Sequence, residues 1–509
     1  MPAKSLLSPL LALFAGALLT LSFAPFNAWP LSLACPAVLA WLIQRRAHSG
    51  FTLALLFGLG LFGSGSSWVY VSIHDFGYTA APLALLLTGI FVSALALVFA
   101  LPFYALSRFF HSAKQRLLAF PLIWVLGEWS RSWFLTGFPW LFVGYAHTDT
   151  TLAGWAPVWG VYGLSLATVY AGIALLVLLR ALYARELRRA AAMATAIGGL
   201  FLSGMLLQQY EWTQPQGKTI DIALVQPNIP LAKKWSPSHI DEIYEQLGQL
   251  HDASAEADLV VWPEAALPEL FNEATVFIDQ MDELSTRRQQ ALITGILYDD
   301  LEQYKFYNAI MGLGLAQGLY FKQRLVPFGE YVPLEHWLRG IIAFFDLPNS
   351  VIHKGPKGQA PLHATLNGST FSLSSSICYE VVYPDLVAAN LADAELMITI
   401  SNDAWFGRSI GPLQHFQMAR MRAMENGRPM LRATNTGLSG IISHTGDIVE
   451  QGEPFLATVV KGEIAVRSGN TPFAIWQSYP VVLACLFFLT LLYYRSRNEC
   501  AEDERQNEQ

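Results

Sequence analysis

The chain has 509 residues, 53 % of them hydrophobic and only 14 % charged, with a formal net charge of −7. Soluble proteins carry about 25 % charged residues, so length and composition together exclude one small soluble domain. The acidic balance argues against nucleic acid as a partner, since phosphate binding needs clustered Lys and Arg.

Charge divides the chain unevenly. From Met1 to Gln208 the acidic residues are Asp75, Glu128, Asp149 and Glu186, whereas Lys218 to Arg467 holds 18 basic and 29 acidic residues. A membrane region therefore precedes an ordinary acidic soluble region. Apolar runs long enough to span a bilayer are expected near Leu6–Phe23, Leu31–Ile43, Phe51–Val71, Pro82–Leu106, Leu117–Phe134, Val158–Leu179 and Ala190–Leu207. An eighth is expected near Phe473–Tyr494. Glu128 and Arg131, three apart on one helix face, interrupt the fifth; they read equally as a headgroup contact at the outer interface or as a structural pair. The first run has no clean small-residue cleavage site behind it, so it reads as a span rather than a signal peptide.

Lys and Arg in short loops set the orientation. Lys4, Arg45, Arg46, Arg108, Lys114, Arg116, Arg180, Arg185, Arg188 and Arg189 share one side if the spans alternate, and the opposite loops hold none. The basic side is expected to be cytoplasmic. Both termini then lie in the cytoplasm and residues 208–472 lie outside. The expected division is a seven-span region at 1–209, an exported domain at 218–467, an eighth helix at 473–495 and a cytoplasmic tail at 496–509.

In the exported region, Gln214–Lys218 reads as a linker. Strands are expected at Ile220–Val225, Leu259–Trp262, Ala291–Leu297, Tyr307–Leu313, Phe371–Ile377, Leu396–Ile400, Ser439–Ser443 and Thr458–Val460. Helices are expected at Pro237–Ala255, with Ser236 as N-cap, and at Pro384–Asp393 and Gln414–Asn426. Strands alternating with helices over this length indicate a layered α/β domain.

Of the four cysteines, Cys35 and Cys485 fall in expected spans and Cys500 in the tail, which leaves Cys378 alone in the exported domain. A lone thiol in an oxidising compartment is either buried or used. Cys378 closes an apolar strand, at the sheet edge where α/β sites collect. A thiol nucleophile needs a base and an oxyanion donor. Glu264, following the strand that ends in Trp262-Pro263, offers the base; Lys322, following Leu319-Tyr320-Phe321, offers a cation.

Trp262-Pro263-Glu264, Lys322 with the Leu325–Tyr331 run behind it, and Ile377-Cys378-Tyr379-Glu380 resemble the Glu-Lys-Cys triad of the nitrilase, or carbon-nitrogen hydrolase, superfamily. The seven-span prefix and one-span suffix narrow the resemblance to the apolipoprotein N-acyltransferases, over essentially the whole chain. It implies an αββα nitrilase-like sandwich on a bundle of about eight spans, in the inner membrane of a bacterium with the catalytic domain in the periplasm. It implies that Cys378 takes an acyl chain from a phospholipid, typically phosphatidylethanolamine, as a thioester. The α-amino group of a lipoprotein's N-terminal diacylglyceryl-cysteine then accepts it. Glu264 would be the general base and Lys322 the oxyanion partner. No cofactor and no metal is implied, and His415 without companions at ligand spacing does not make a zinc site.

Around the triad, Glu330 resembles the family's further essential Glu, and the Tyr379 N–H could complete an oxyanion hole. Glu380 reads equally as a holder of the acceptor amine or as a local pair. Asn308 could position Glu264 or Lys322, Asn402 sits in a site-bordering loop, and Trp235 resembles a family Trp near the lipid entrance. The apolar Leu338–Phe345 segment could be a lid or a buried stretch. Two other readings stay open: a membrane-tethered nitrilase-type amidase that uses water, and an inactive lipid-binding or transport scaffold.

Overall fold

The computed structural model describes residues 3–327, 329–331 and 352–507; the expected arm at 338–345 lies outside them. The chain forms two compact units. One holds residues up to His74, Thr79–Tyr210 and the chain from Trp476; the other holds Glu211–Ile475 with the short segment Asp75–Tyr78.

The first unit is helical. Among the described residues, four helices are long and apolar enough to cross a bilayer: Ala81–Phe109, Thr151–Tyr183, Leu187–Leu207 and Tyr479–Glu499. A fifth candidate is the pair Gly50–Gly65 and Trp68–Phe76, bent by 53°. Leu7–Ser22 is apolar but shorter. Helices also form at the two remaining expected runs, Pro30–Arg45 and Ala113–Ser130. The first has only 16 residues, and the second carries Lys114, Arg116 and Glu128. Large apolar side chains such as Leu85, Ile90, Leu101, Phe487 and Phe488 stay exposed on the helix faces, as lipid-facing positions require. Where helices meet, glycine lets the backbones touch: a Cβ on Gly16 would stand 1.9 Å from the Phe57 carbonyl oxygen.

Glu128 and Arg131 are both buried, and together they clasp one loop. Glu128 Oε1 accepts from Trp124 Nε1 (2.9 Å) and from the Val143 N–H (2.8 Å), while Arg131 donates to the Trp140 carbonyl (3.0 Å). The pair thus serves the bundle's own structure, and the rings of Phe62 and Phe142 flank the guanidinium.

The second unit contains two sheets among the described residues. The first runs β13-β1-β2-β3-β4-β6, from β1 (Gln214–Gln226), β2 (Leu259–Val261), β3 (Ala291–Asp300), β4 (Lys305–Gly314), β6 (Leu319–Phe321) and β13 (Thr458–Ser468). The second runs β12-β11-β10-β9-β8-β7-β5, from β5 (Ala316–Gln317), β7 (Leu362–Leu366), β8 (Ser369–Ile377), β9 (Leu396–Ser401), β10 (Met430–Thr434), β11 (Gly440–Ile442) and β12 (Ile448–Gln451). One apolar core joins their facing sides, through Ile222, Leu224 and Ile293 of the first and Leu373, Ile377 and Ile398 of the second. On the outer face of the first sheet, Ile243, Leu247, Ile278 and Met281 of helices Ile240–Asp252 and Thr275–Arg287 pack on Val260 and Leu292. Helices Pro384–Leu391 and Gly411–Asn426 lie against β8 and β10. β9 is buried along its whole length, and four of its six residues, Leu396, Met397, Ile398 and Ile400, are apolar.

Two local expectations need correction. Gln214–Lys218 is not a linker: it opens β1, with Gln214 opposite Ser468 and an irregular register between Pro215 and Thr219. Polar residues there sit on an exposed strand end, which composition cannot tell from a loop. Ser236 makes no side-chain cap; a 3₁₀ turn at Pro237–His239 intervenes before the helix starts at Ile240.

Candidate active site

β1, β2 and β3 run parallel in one sheet, and β8, β9 and β10 run parallel in the other. Their C-terminal ends are where the chemistry-bearing residues emerge. Glu264 leaves β2 in a loop clamped to β3 by the Trp262 N–H on the Ile293 carbonyl (2.8 Å) and the Ala266 N–H on the Gly295 carbonyl (2.8 Å). Ala265 takes φ +43° there, a conformation rare outside glycine. Lys322 follows β6, and its N–H binds the Asn308 carbonyl on β4 at 2.9 Å.

Glu264 Oε1 accepts from Asn308 Nδ2 (2.7 Å) and Lys322 Nζ (3.2 Å), and Oε2 from the Asn402 N–H (2.8 Å). Glu330 Oε1 accepts from Lys322 Nζ (2.8 Å) and Asn308 Nδ2 (3.0 Å), and Oε2 from the Val326 N–H (2.8 Å). Asn308 therefore joins the two carboxylates, and Lys322 lies between them. Burial alone would pull the Lys322 ammonium down, but the Glu264 and Glu330 carboxylates outweigh it and hold the group charged, well above the ordinary lysine range.

Cys378 follows β8 at φ +52°, at the head of a short 3₁₀ stretch, Cys378–Val382. Desolvation and the Glu264 charge push its thiol well above the ordinary range, with Lys322 opposing. Its surroundings thus favour the neutral thiol over the thiolate.

Glu380 is fully buried, and backbone and hydroxyl donors occupy both of its carboxylate oxygens. It accepts from the N–H groups of Ile377 (2.8 Å), Gln323 (2.6 Å) and Arg324 (3.0 Å) and from the Tyr320 hydroxyl (2.9 Å). It ties the loop behind Lys322 to the strand carrying Cys378. Burial pushes its carboxyl up to about 7 against those bonds. The Tyr379 side chain is buried edge-on against Tyr383. Asn402 also accepts from Asn435 Nδ2 at 3.3 Å. Trp235 is 39 % exposed and connects with the site through Lys234, whose Nζ lies 5.8 Å from its ring.

Sequence reasoning missed Lys234, Asp403 and Arg432, and it weighed His415 only as a metal ligand. Lys234 Nζ is buried and donates to the Glu264 carbonyl at 3.1 Å; desolvation lowers its ammonium to about 8 despite Glu264. Its signal was a lysine beside Trp235 in the loop after β1. Arg432, on a wholly buried strand, reaches Asp403 Oδ2 at 2.7 Å. A charge in the otherwise apolar run Met430-Leu431-Arg432-Ala433 was its signal.

The sequence matches two family models: the apolipoprotein N-acyltransferase N-terminal domain over residues 15–174, and carbon-nitrogen hydrolase over 221–471. It is 42 % identical over 484 residues to the apolipoprotein N-acyltransferase of Pseudomonas syringae pv. tomato, covering 94 % of each chain. It is 42 % identical over 506 residues to that of Azotobacter vinelandii, covering 97 % of this chain and 96 % of the other. Among solved structures, a carbon-nitrogen hydrolase from Helicobacter pylori aligns with 48 % of this chain and 89 % of its own at 16 % identity and a TM-score of 0.37. On the strength of its near full-length relatives, the chain belongs to the apolipoprotein N-acyltransferase family, and it is an acyltransferase.

Proposed function

We propose that this enzyme moves an acyl chain in two half-reactions through a thioester on Cys378. In the first, Glu264 takes the thiol proton as Sγ bonds to the ester carbonyl carbon of a phospholipid, phosphatidylethanolamine being the expected donor. Lys322 and the Tyr379 N–H receive the oxyanion. Collapse breaks the carbon–oxygen ester bond, and Glu264 returns its proton to the departing lysophospholipid oxygen. In the second, the α-amino group of a diacylglyceryl-cysteine attacks the thioester carbon, Glu264 takes the amine proton, and the carbon–sulfur bond breaks with that proton returning to sulfur. No cofactor takes part.

The single observation that carries this reading is the contact set on Glu264: a carboxylate fixed by Asn308, Lys322 and Asn402 in the same site as a thiol that needs a base. Glu330 positions Lys322. The expected setting is an αββα sandwich in the periplasm on eight spans of a bacterial inner membrane, with both termini cytoplasmic. The facing sheets, the flanking helices and the absence of Lys and Arg from the expected outer loops support it.

The test supplies purified enzyme in vesicles with acyl-labelled phosphatidylethanolamine and a synthetic diacylated lipopeptide bearing a free N-terminal cysteine amine. Label on the lipopeptide nitrogen supports the proposal. Free fatty acid in place of the amide would identify the water-using amidase instead. No lysophospholipid production at all would return the scaffold reading.

A further inference from the structure

We infer that His415 is a positioning residue that locks the peptide between Cys378 and Tyr379, so that the Tyr379 N–H stays aimed at the oxyanion. The inference rests on the acylation reading above.

His415 lies on helix Gly411–Asn426 and is buried. Its Nε2 is 3.2 Å from the Cys378 carbonyl oxygen. A carbonyl oxygen only accepts, so Nε2 carries the hydrogen. On the other side of the ring, Arg432 Nη2 stands 3.0 Å from Nδ1 and 2.7 Å from Asp403 Oδ2. Nδ1 therefore faces both the Arg432 donor and, at 3.1 Å, the Asp403 Oδ1 acceptor, and the two hold the ring with its Nε2–H toward Cys378. Asp403 Oδ1 also accepts from Ser401 Oγ at 2.6 Å, which orients the carboxylate that holds Arg432. A Cβ on Gly437 would lie 2.6 Å from Asp403 Oδ2, so the chain is bare where the carboxylate passes.

The lock acts through the peptide plane. In a trans peptide the C=O and the next N–H point in opposite directions, so any rotation of the Cys378–Tyr379 plane would swing the Tyr379 N–H away from its catalytic aim. The His415 bond to the carbonyl opposes it. Asp403, Arg432 and His415 touch no reacting atom; their effect passes through the peptide.

The experiment compares two reactions of Cys378 in full-length enzyme in phospholipid vesicles, for wild type, His415→Ala and His415→Gln. One is thioester formation from phospholipid, which develops an oxyanion. The other is alkylation by iodoacetamide, a displacement that develops none. His415→Ala is expected to slow acylation by about 100-fold, the loss of one oxyanion donor, with KM for phospholipid and the alkylation rate within about twofold of wild type. His415→Gln, whose amide still donates, is expected to recover at least about tenfold of that. Unchanged acylation in His415→Ala, or acylation and alkylation slowed alike in both variants, overturns the inference. A wild type that is alkylated but never acylated overturns the acylation reading itself, and this inference with it.

Discussion

The Asn402 peptide N–H donates to Glu264 Oε2 at 2.8 Å and so links the end of β9 in one sheet with the end of β2 in the other. The Glu264 carboxylate is therefore placed by both layers at once. Its orientation survives only as long as the sheets keep their separation, so residues far from the chemistry can control it.

Gly295 is one such residue. A Cβ there would stand 2.6 Å from the Pro263 carbonyl oxygen and 2.7 Å from the Ala265 nitrogen, both backbone atoms of the Glu264 loop. Gly295→Ala is expected to displace that loop and lower kcat on the order of 10- to 100-fold, with phospholipid KM near wild type. Steady-state transfer to a lipopeptide amine measures it. An unchanged kcat would show that Glu264 tolerates the shift.

The state of the nucleophile sets a pH dependence. Desolvation and Glu264 raise the Cys378 thiol above its ordinary value, so at any given pH less of it is thiolate than in a free cysteine. Alkylation by iodoacetamide is therefore expected to be slower than for a free cysteine at pH 8. It should climb about tenfold per pH unit through pH 9 without a plateau. Lys322→Met removes the opposing charge and should slow it further. A plateau reached below pH 8 would mean a preformed thiolate–lysine ion pair.

In the helical unit, Glu128 and Arg131 hold opposite ends of the Trp140–Val143 loop. Glu128→Ala leaves Arg131 buried without its carboxylate, and removing one partner of a buried pair costs about 3–5 kcal/mol. The melting temperature of the detergent-solubilised protein should fall clearly, and Glu128→Gln with Arg131→Met should recover part of the loss. Equal melting temperatures for Glu128→Ala and wild type would mean that the pair contributes nothing to the bundle's stability.

The candidate triad was legible in the sequence through its motif. Glu264 comes after Leu259–Trp262, Lys322 after Leu319–Phe321 and Cys378 after Phe371–Ile377, but a Glu or Lys at a strand end is by itself more often a surface residue, and only the three motifs together single them out. Glu330 was legible as a candidate only through the resemblance, and Asn308 only through its place in a strand. The layer behind them was not: Arg432 meets Asp403 across 29 residues and His415 meets Cys378 across 37. Such pairings depend on which strands become neighbours, and periodicity in one strand says nothing of that. Glu380 followed the same logic, since its partners at Gln323 and Arg324 come from a distant loop. The bundle was legible as apolar runs, yet three of them, near Leu7–Ser22, Pro30–Arg45 and Ala113–Ser130, make helices too short or too charged to stand as spans on length and hydropathy alone.

The central claim is that Glu264 drives acylation of Cys378. Its most direct test weighs the tryptic peptide containing Cys378 by mass spectrometry, after incubation of the enzyme with phospholipid and no acceptor. The account predicts an acyl-sized mass increase that hydroxylamine removes, present in wild type and absent in Glu264→Gln. An unmodified Cys378 in the wild type, or an adduct that forms equally fast in Glu264→Gln, would contradict it.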